Sequence, residues 1–374
     1  MRIYLKFIPG FNLPDLFNSA VLNGIILLFL IVNTVCPENV FATSDDEQSR
    51  LYTTREEKRE AGVKHPLTPW LIASGLGEFQ WNWEKLGLRG KDGSDKFHNS
   101  SANLQVGIFA YPLDWLNTEI ITVYDTDTNE WMLDEAELSI VYDAWELVVG
   151  KQFLAFGEFI SNFSNGPILE FGETSDPALS LAYNYHDKLD VSVSIYRSDA
   201  RKINSGDRLD WSVAFESWPT DHLSFGISYL SDLADSDVHL LDANNNRYTR
   251  KVSAISGYFL YAADKFDISL EVLGALDSFS ELDGDRDMPQ AFNLEFAYSI
   301  TPKLDLAMRV EGSRELKDAP ELQAGMAVNY RLHQNIVVTL EALRGFFKDN
   351  IATNNNNNAY DHVDTLGALL SIAF

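Results

Sequence analysis

Beyond Trp70, apolar and polar residues alternate with a period of two along most of the chain. Leu189, Val191, Val193 and Ile195 alternate with Asp190, Ser192 and Ser194, and Leu223, Phe225, Ile227 and Tyr229 alternate with His222, Ser224, Gly226 and Ser228. The same rhythm runs through Leu209–Glu216, Phe292–Ser299 and Leu304–Glu311. Successive side chains of a strand point to opposite faces, so each run predicts a strand with one apolar and one polar face. No helical period is convincing in this region.

The links between runs alternate in length. Short links fall at Tyr111-Pro112, Asp143-Ala144, His186-Asp187, 218–221, Ala263-Asp264, Thr301-Pro302 and His333-Gln334. Between them lie long polar links at 84–100, 154–176, 198–206, 231–250, 278–289 and 346–359, the last containing a run of Asn. Short turns on one rim and long loops on the other are the habit of an outer-membrane barrel. The final run, Leu366, Ala368, Leu370, Ile372 and Phe374, ends on an aromatic residue, as last strands handed to the barrel-assembly machinery do. The expected fold is therefore all-β: a transmembrane, antiparallel, up-and-down β-barrel of about sixteen strands over residues 70–374. Its partners would be outer-membrane lipids and the assembly machinery, the latter through Phe374.

The N-terminus carries the only long apolar run, from Ala20 to Val32, with Arg2 and Lys6 before it and Val40-Phe41-Ala42 after it. That order predicts a secretory signal peptide over 1–42, cleaved near Ala42. Residues 43–69, polar and centred on Arg55-Glu-Glu-Lys-Arg-Glu60, read as a short periplasmic segment, helical or a tether. They are too few for the plug of an energy-coupled, 22-stranded receptor.

Composition narrows the function. With 29 Lys+Arg against 55 Asp+Glu, the net charge is −26, which excludes a nucleic-acid partner because phosphates would find no countercharge. One Cys excludes a disulfide framework and a Cys-based zinc site. The seven His lie mostly in predicted turns and form no His-Glu-x-x-His motif, so no catalytic residue, metal or cofactor is expected. Asp283-Gly-Asp285-Arg-Asp287 resembles the start of a calcium loop, but Met288 stands where the required Gly belongs. Asp232, Asp235 and Asp237 read as a solvated loop.

Turning the polar face inward places Glu78, Glu135, Glu137, Asp190, Asp210, Glu216, Asp267, Glu271, Glu295, Asp305, Glu311 and Glu341 in the lumen. They are opposed chiefly by Arg309 and Arg331, with Lys151 a third candidate. Such a lumen favours cations. The link 154–176, rich in Phe and Gly, is expected to fold inward and narrow the passage, with Phe156, Phe159, Phe163 and Glu173 near the constriction. Lys151, Glu295, Arg309, Glu311 and Arg331 complete the expected solute-contacting set. Either the two arginines and Lys151 form an anion step, or Glu295 and Glu311 meet a neutral or cationic ligand.

One stretch goes beyond generic barrel pattern: Leu133-Asp-Glu-Ala-Glu137, then Val149-Gly-Lys-Gln-Phe-Leu-Ala-Phe-Gly-Glu-Phe159, then Gly166-Pro-Ile-Leu-Glu-Phe-Gly-Glu-Thr174. It resembles the LbtU-type siderophore porin family, with support from Ser228-Tyr-Leu-Ser-Asp-Leu-Ala-Asp-Ser-Asp237 and Phe292-Asn-Leu-Glu295. Ala155 stands where the family has Pro, and Phe292 where it has Trp. The resemblance implies a plugless barrel that moves a ferric siderophore across the outer membrane. A cation-preferring general porin is the alternative. A barrel hydrolase and an adhesive surface protein are the other classes, distinguished by a Ser/His or Asp/His pair on neighbouring strands and by a blocked lumen.

Overall fold

The computed structural model describes residues 65–374, apart from 91–92, 127, 187, 198–208, 237–239, 241–249, 283–286, 349–351 and 354–357. The signal peptide, most of the 43–69 segment and the loop tips around Asn245, Asp285 and Asn356 fall outside them. Seventeen strands form one sheet. In chain order they are β1 (His65–Thr68), β2 (Leu71–Leu88), β3 (Ser94–Leu113), β4 (Leu116–Asp125), β5 (Glu130–Tyr142), β6 (Trp145–Phe153), β7 (Ser175–Tyr185), β8 (Leu189–Arg197) and β9 (Leu209–Thr220). Then come β10 (Leu223–Leu230), β11 (Ala254–Ala262), β12 (Phe266–Ala275), β13 (Gln290–Thr301), β14 (Leu304–Arg314), β15 (Leu322–His333), β16 (Ile336–Phe346) and β17 (Tyr360–Ala373).

Every pairing is antiparallel between chain neighbours, and β17 returns to pair with β2, so β2 to β17 close a sixteen-strand cylinder. Closure leaves no strand edge to face hydrocarbon with unpaired amides. The seam ends where Phe374 and Gly75 exchange two backbone hydrogen bonds of 2.7 and 2.8 Å. There β1 takes over, pairing His65 with Ala73 and so covering the first residues of β2. Residues 65–68 are thus strand, not helix or tether.

The seven short turns share one rim with the C-terminus, and the longer links share the other. One expected long link is largely strand: β2 and β3 pair as far as Gly87 with Ser94, turning most of 84–100 into a hairpin that projects beyond the wall. Around the outside, exposed Ile120, Leu138, Val149, Leu181, Val193, Leu270 and Leu340 form an aliphatic belt. Exposed Trp115, Tyr142, Trp145 and Tyr185 ring it at the short-turn rim, with Trp81, Trp131 and Trp211 toward the other. Aromatic girdles flanking an apolar band are the outer surface of a membrane barrel. Cross-strand ring pairs stiffen the girdles: Trp145 and Tyr183 lie 4.7 Å apart, Tyr124 and Trp131 5.4 Å.

Candidate functional site: a loop docked on an acidic inner wall

The register puts all twelve carboxylates of the expected lumen on the inward face, because the apolar belt fixes which residues point out. The link between β6 and β7 (residues 154–174) turns inward and lies along the wall formed by β10 to β16. Its only regular piece is a 3-10 turn, Ile168–Gly172. A chain without strand or helix partners carries backbone N–H groups that must be satisfied once buried. Here the wall supplies the acceptors. Glu271 on β12 takes the N–H of Glu158 and Phe159 at 2.7 and 2.9 Å. Glu295 on β13 takes that of Asn162 at 2.8 Å, Glu341 on β16 those of Ser164 and Asn165 at 2.7 and 3.3 Å, and Glu311 on β14 that of Ile168 at 2.7 Å. The loop conforms to this row: Gly157 at φ 78° and Phe159 at φ 50° are left-handed, which turns consecutive N–H groups toward Glu271.

Arg309 locks the arrangement from below. Its guanidinium bonds Glu295 at 2.7 Å and Glu311 at 3.4 Å, donates to the carbonyls of Asn165 and Gly166 and to the Ser161 hydroxyl, and sits 4.2 Å over the Phe163 ring. Asn329 donates to the Asn162 carbonyl, and Gln80 and Asn82 on β2 donate to Asn165 Oδ1. The loop tip at Asn165 therefore reaches across to the strand that closes the barrel.

The three expected constriction phenylalanines face the wall instead of the passage. Phe156 and Phe159 join Leu169, Phe171, Leu230, Leu233, Val252 and Leu273 in an apolar cluster inside the barrel, and Phe163 packs on Ala297, Ala307, Ala327 and Leu343. They are buried because the small inward Ala residues leave sockets for rings. The half-buried side of the loop instead presents Glu158, Ser164, Asn165, Glu170 and Glu173.

The expected anion step does not assemble. Arg309 is 1 % exposed beneath the loop. Arg331 lies near the short-turn rim beside Asp305, about six residues or roughly 20 Å farther along β15 than the Gly325 paired with Arg309. Lys151 shares the outward face of β6 with Leu147 and exposed Val149, and its Nζ donates to the Leu133 carbonyl at 2.6 Å. The strand keeps its alternation through Gly150, whose φ of 144° only glycine adopts readily, so Lys151 falls outside opposite Ala136 while Gly150 faces inward opposite Glu137. Likewise Asp232 and Asp235 are buried rather than solvated, held by a 3-10 turn that Asp232 caps through the Ala234 N–H. Asp237 lies outside the described residues.

Opposite the loop, the inner wall of β2 to β5 carries Glu78, Glu119, Glu135 and Glu137, with Glu119 directly across from Glu137. Glu119 escapes a reading by alternation because apolar Ile121, fully buried, shares its inward face and a bulge shifts the register beside it. Among the described strand residues, Arg309 and Arg331 are the only basic side chains on the inward face.

No protein-family model and no curated protein matches the chain. Solved barrels do. The outer membrane channel DcaP of Acinetobacter baumannii aligns over 84 % of this chain and 99 % of its own at 15 % identity, with a TM-score of 0.55. OmpT, an outer membrane protein of Vibrio cholerae solved as a trimer, aligns over 81 % and 99 % at 14 % identity, with a TM-score of 0.50. At such identities the likeness speaks of fold, and the fold this chain shares with them is the closed sixteen-strand barrel.

Proposed function

We propose that this chain is a bacterial outer-membrane channel of the porin type, narrowed by its inward loop and selective for cations. The observation that carries the reading is the sign of the inner surface: the half-buried side of the loop presents Glu158, Glu170 and Glu173, the inward face of β2 to β5 carries Glu78, Glu119, Glu135 and Glu137, and among the described strand residues only Arg309 and Arg331 are basic and turned inward. Carboxylates facing one another across a pore walled by low-dielectric protein enrich cations and repel anions. The aliphatic belt between aromatic girdles supports the outer membrane as its place, and the two solved barrels it resembles are both outer-membrane proteins. Purified protein in a planar bilayer under a KCl gradient should give a reversal potential of the sign for K⁺ preference, growing as salt is lowered. Glu119→Gln with Glu135→Gln and Glu137→Gln should shrink it. Anion preference in the unmodified channel would defeat the proposal.

Ferric siderophore uptake is the sharper reading. The residues that carry the resemblance, 149–159 and 166–174, are the ones that enter, dock and leave the inner loop. The acidic passage fits a ferric complex of neutral or positive charge better than a polycarboxylate. A ferric trihydroxamate added to the bilayer chamber should then interrupt the current, and ferric citrate should not.

A further inference from the structure

A cluster of oxygen ligands sits apart from the docked loop's carboxylate row, at the long-link rim. Asp210 stands near the start of β9, and Asp232 and Asp235 belong to the turn that follows β10. All three are buried, and one carboxylate oxygen from each lies within 4.8 Å of the other two. Oxygens bonded to one calcium ion at about 2.3–2.6 Å are separated by no more than about this distance. The donors are hard carboxylate oxygens with no imidazole or thiolate among them, which suits calcium and not a softer metal.

A second observation points to the same spot. Tyr196, across from Asp210 in the β8–β9 register, lies within electrostatic reach of all three carboxylates. Its side chain is 1 % exposed, yet its hydroxyl finds no hydrogen-bond partner among the described residues. The Ser231 hydroxyl nearby donates to Asp210 and accepts the Trp211 N–H. A buried phenol beside three carboxylates is expected to donate to one of them. Its failure to do so leaves an oxygen positioned for a cation, or for a water on that cation. The Ser236 hydroxyl, fully buried next to Asp235, is in the same condition.

We propose that Asp210, Asp232 and Asp235, with Tyr196 beside them, form a calcium site that clamps the root of the β8–β9 link to that of the β10–β11 link. Leu233 and Ala234 inside the turn, and Val252 whose N–H bonds Asp232 Oδ1 at 3.1 Å, belong to the apolar cluster that seats Phe156 and Phe159. The ion would thus brace the seat of the inward loop. Lys251, whose Nζ meets Asp210 Oδ1 at 2.6 Å from a position partly open to solvent, would share that carboxylate.

The test uses the full barrel in detergent after chelator treatment, with calcium alone and then terbium as probes. Calcium should raise the unfolding temperature with half-saturation at about 10⁻⁴–10⁻³ M, the range of extracellular modules. Terbium should give tyrosine-sensitised emission that calcium quenches and that Tyr196→Phe reduces several-fold. Asp232→Asn with Asp235→Asn should abolish both responses while heat-modifiable gel migration shows the barrel intact. A wild-type barrel that responds to neither ion overturns the site, whatever the variants do. So does a full response retained in the double variant, because the ion would then bind elsewhere.

Discussion

Arg309 is the residue on which the inner loop turns. It is buried, bonded to two buried glutamates and stacked on Phe163, so its charge is balanced only as long as the whole group stays together. Removing one partner of a buried pair leaves an uncompensated charge, at a cost of about 3–5 kcal/mol. Arg309→Met should therefore lower the guanidinium midpoint markedly. Arg309→Met combined with Glu295→Gln and Glu311→Gln should be milder than the single change, which denaturation of the two variants beside the unmodified protein will show. Sequence alternation is enough to put Arg309, Glu295 and Glu311 on one inward face. It cannot show what lies on top of them, because the partner atoms are backbone groups more than a hundred residues away. A polar inward residue reads the same whether it meets water or a loop. For the same reason the aromatic residues of the loop look exposed in the sequence and prove to be anchors.

At the scale of elements, the barrel wall is the part most legible from the chain. Period-two patterning, alternating link lengths and the terminal Phe suffice for the strand number and for which rim carries the short turns, since each follows from a local steric rule. The β2–β3 hairpin was less legible: its polar distal half resembles a loop because, once past the belt, neither face needs to be apolar. The inner loop is a distinct element whose position rests on six backbone N–H groups received by four glutamates. Deleting 162–169 removes three of the recipients' contacts, those of Glu295, Glu341 and Glu311, and the tip that reaches β2. Single-channel conductance should rise, and an unchanged value would mean that the loop does not narrow the passage. Glu341→Ala alone, which frees only the tip, should give a smaller rise with more current noise as Asn165 swings.

For the whole molecule, the two rims make opposite predictions about access. The β14–β15 link, with Lys317 and Asp318 well exposed, belongs to the long-link rim, and the Asp143-Ala144 turn belongs to the rim that holds the C-terminus. An epitope inserted after Lys317 should be labelled on intact cells, and one at Asp143 only after permeabilisation; the reverse pattern would invert the barrel.

The docking of the loop also has a consequence in time. The N–H donors within residues 154–174 lie more than a hundred residues before their glutamate acceptors at 271, 295, 311 and 341, so the loop has nowhere to bind until that part of the cylinder exists. Contacts so distant in sequence close slowly, because the entropy of the intervening chain is lost before they repay it. Assembly should then proceed in two stages: an open-bored cylinder, already rich in strand by circular dichroism, whose loop is still cut by added protease, and afterwards a slower step in which the loop becomes resistant. During the interval the pore is at its widest, and a nascent channel would be a transient leak that the cell has reason to shorten.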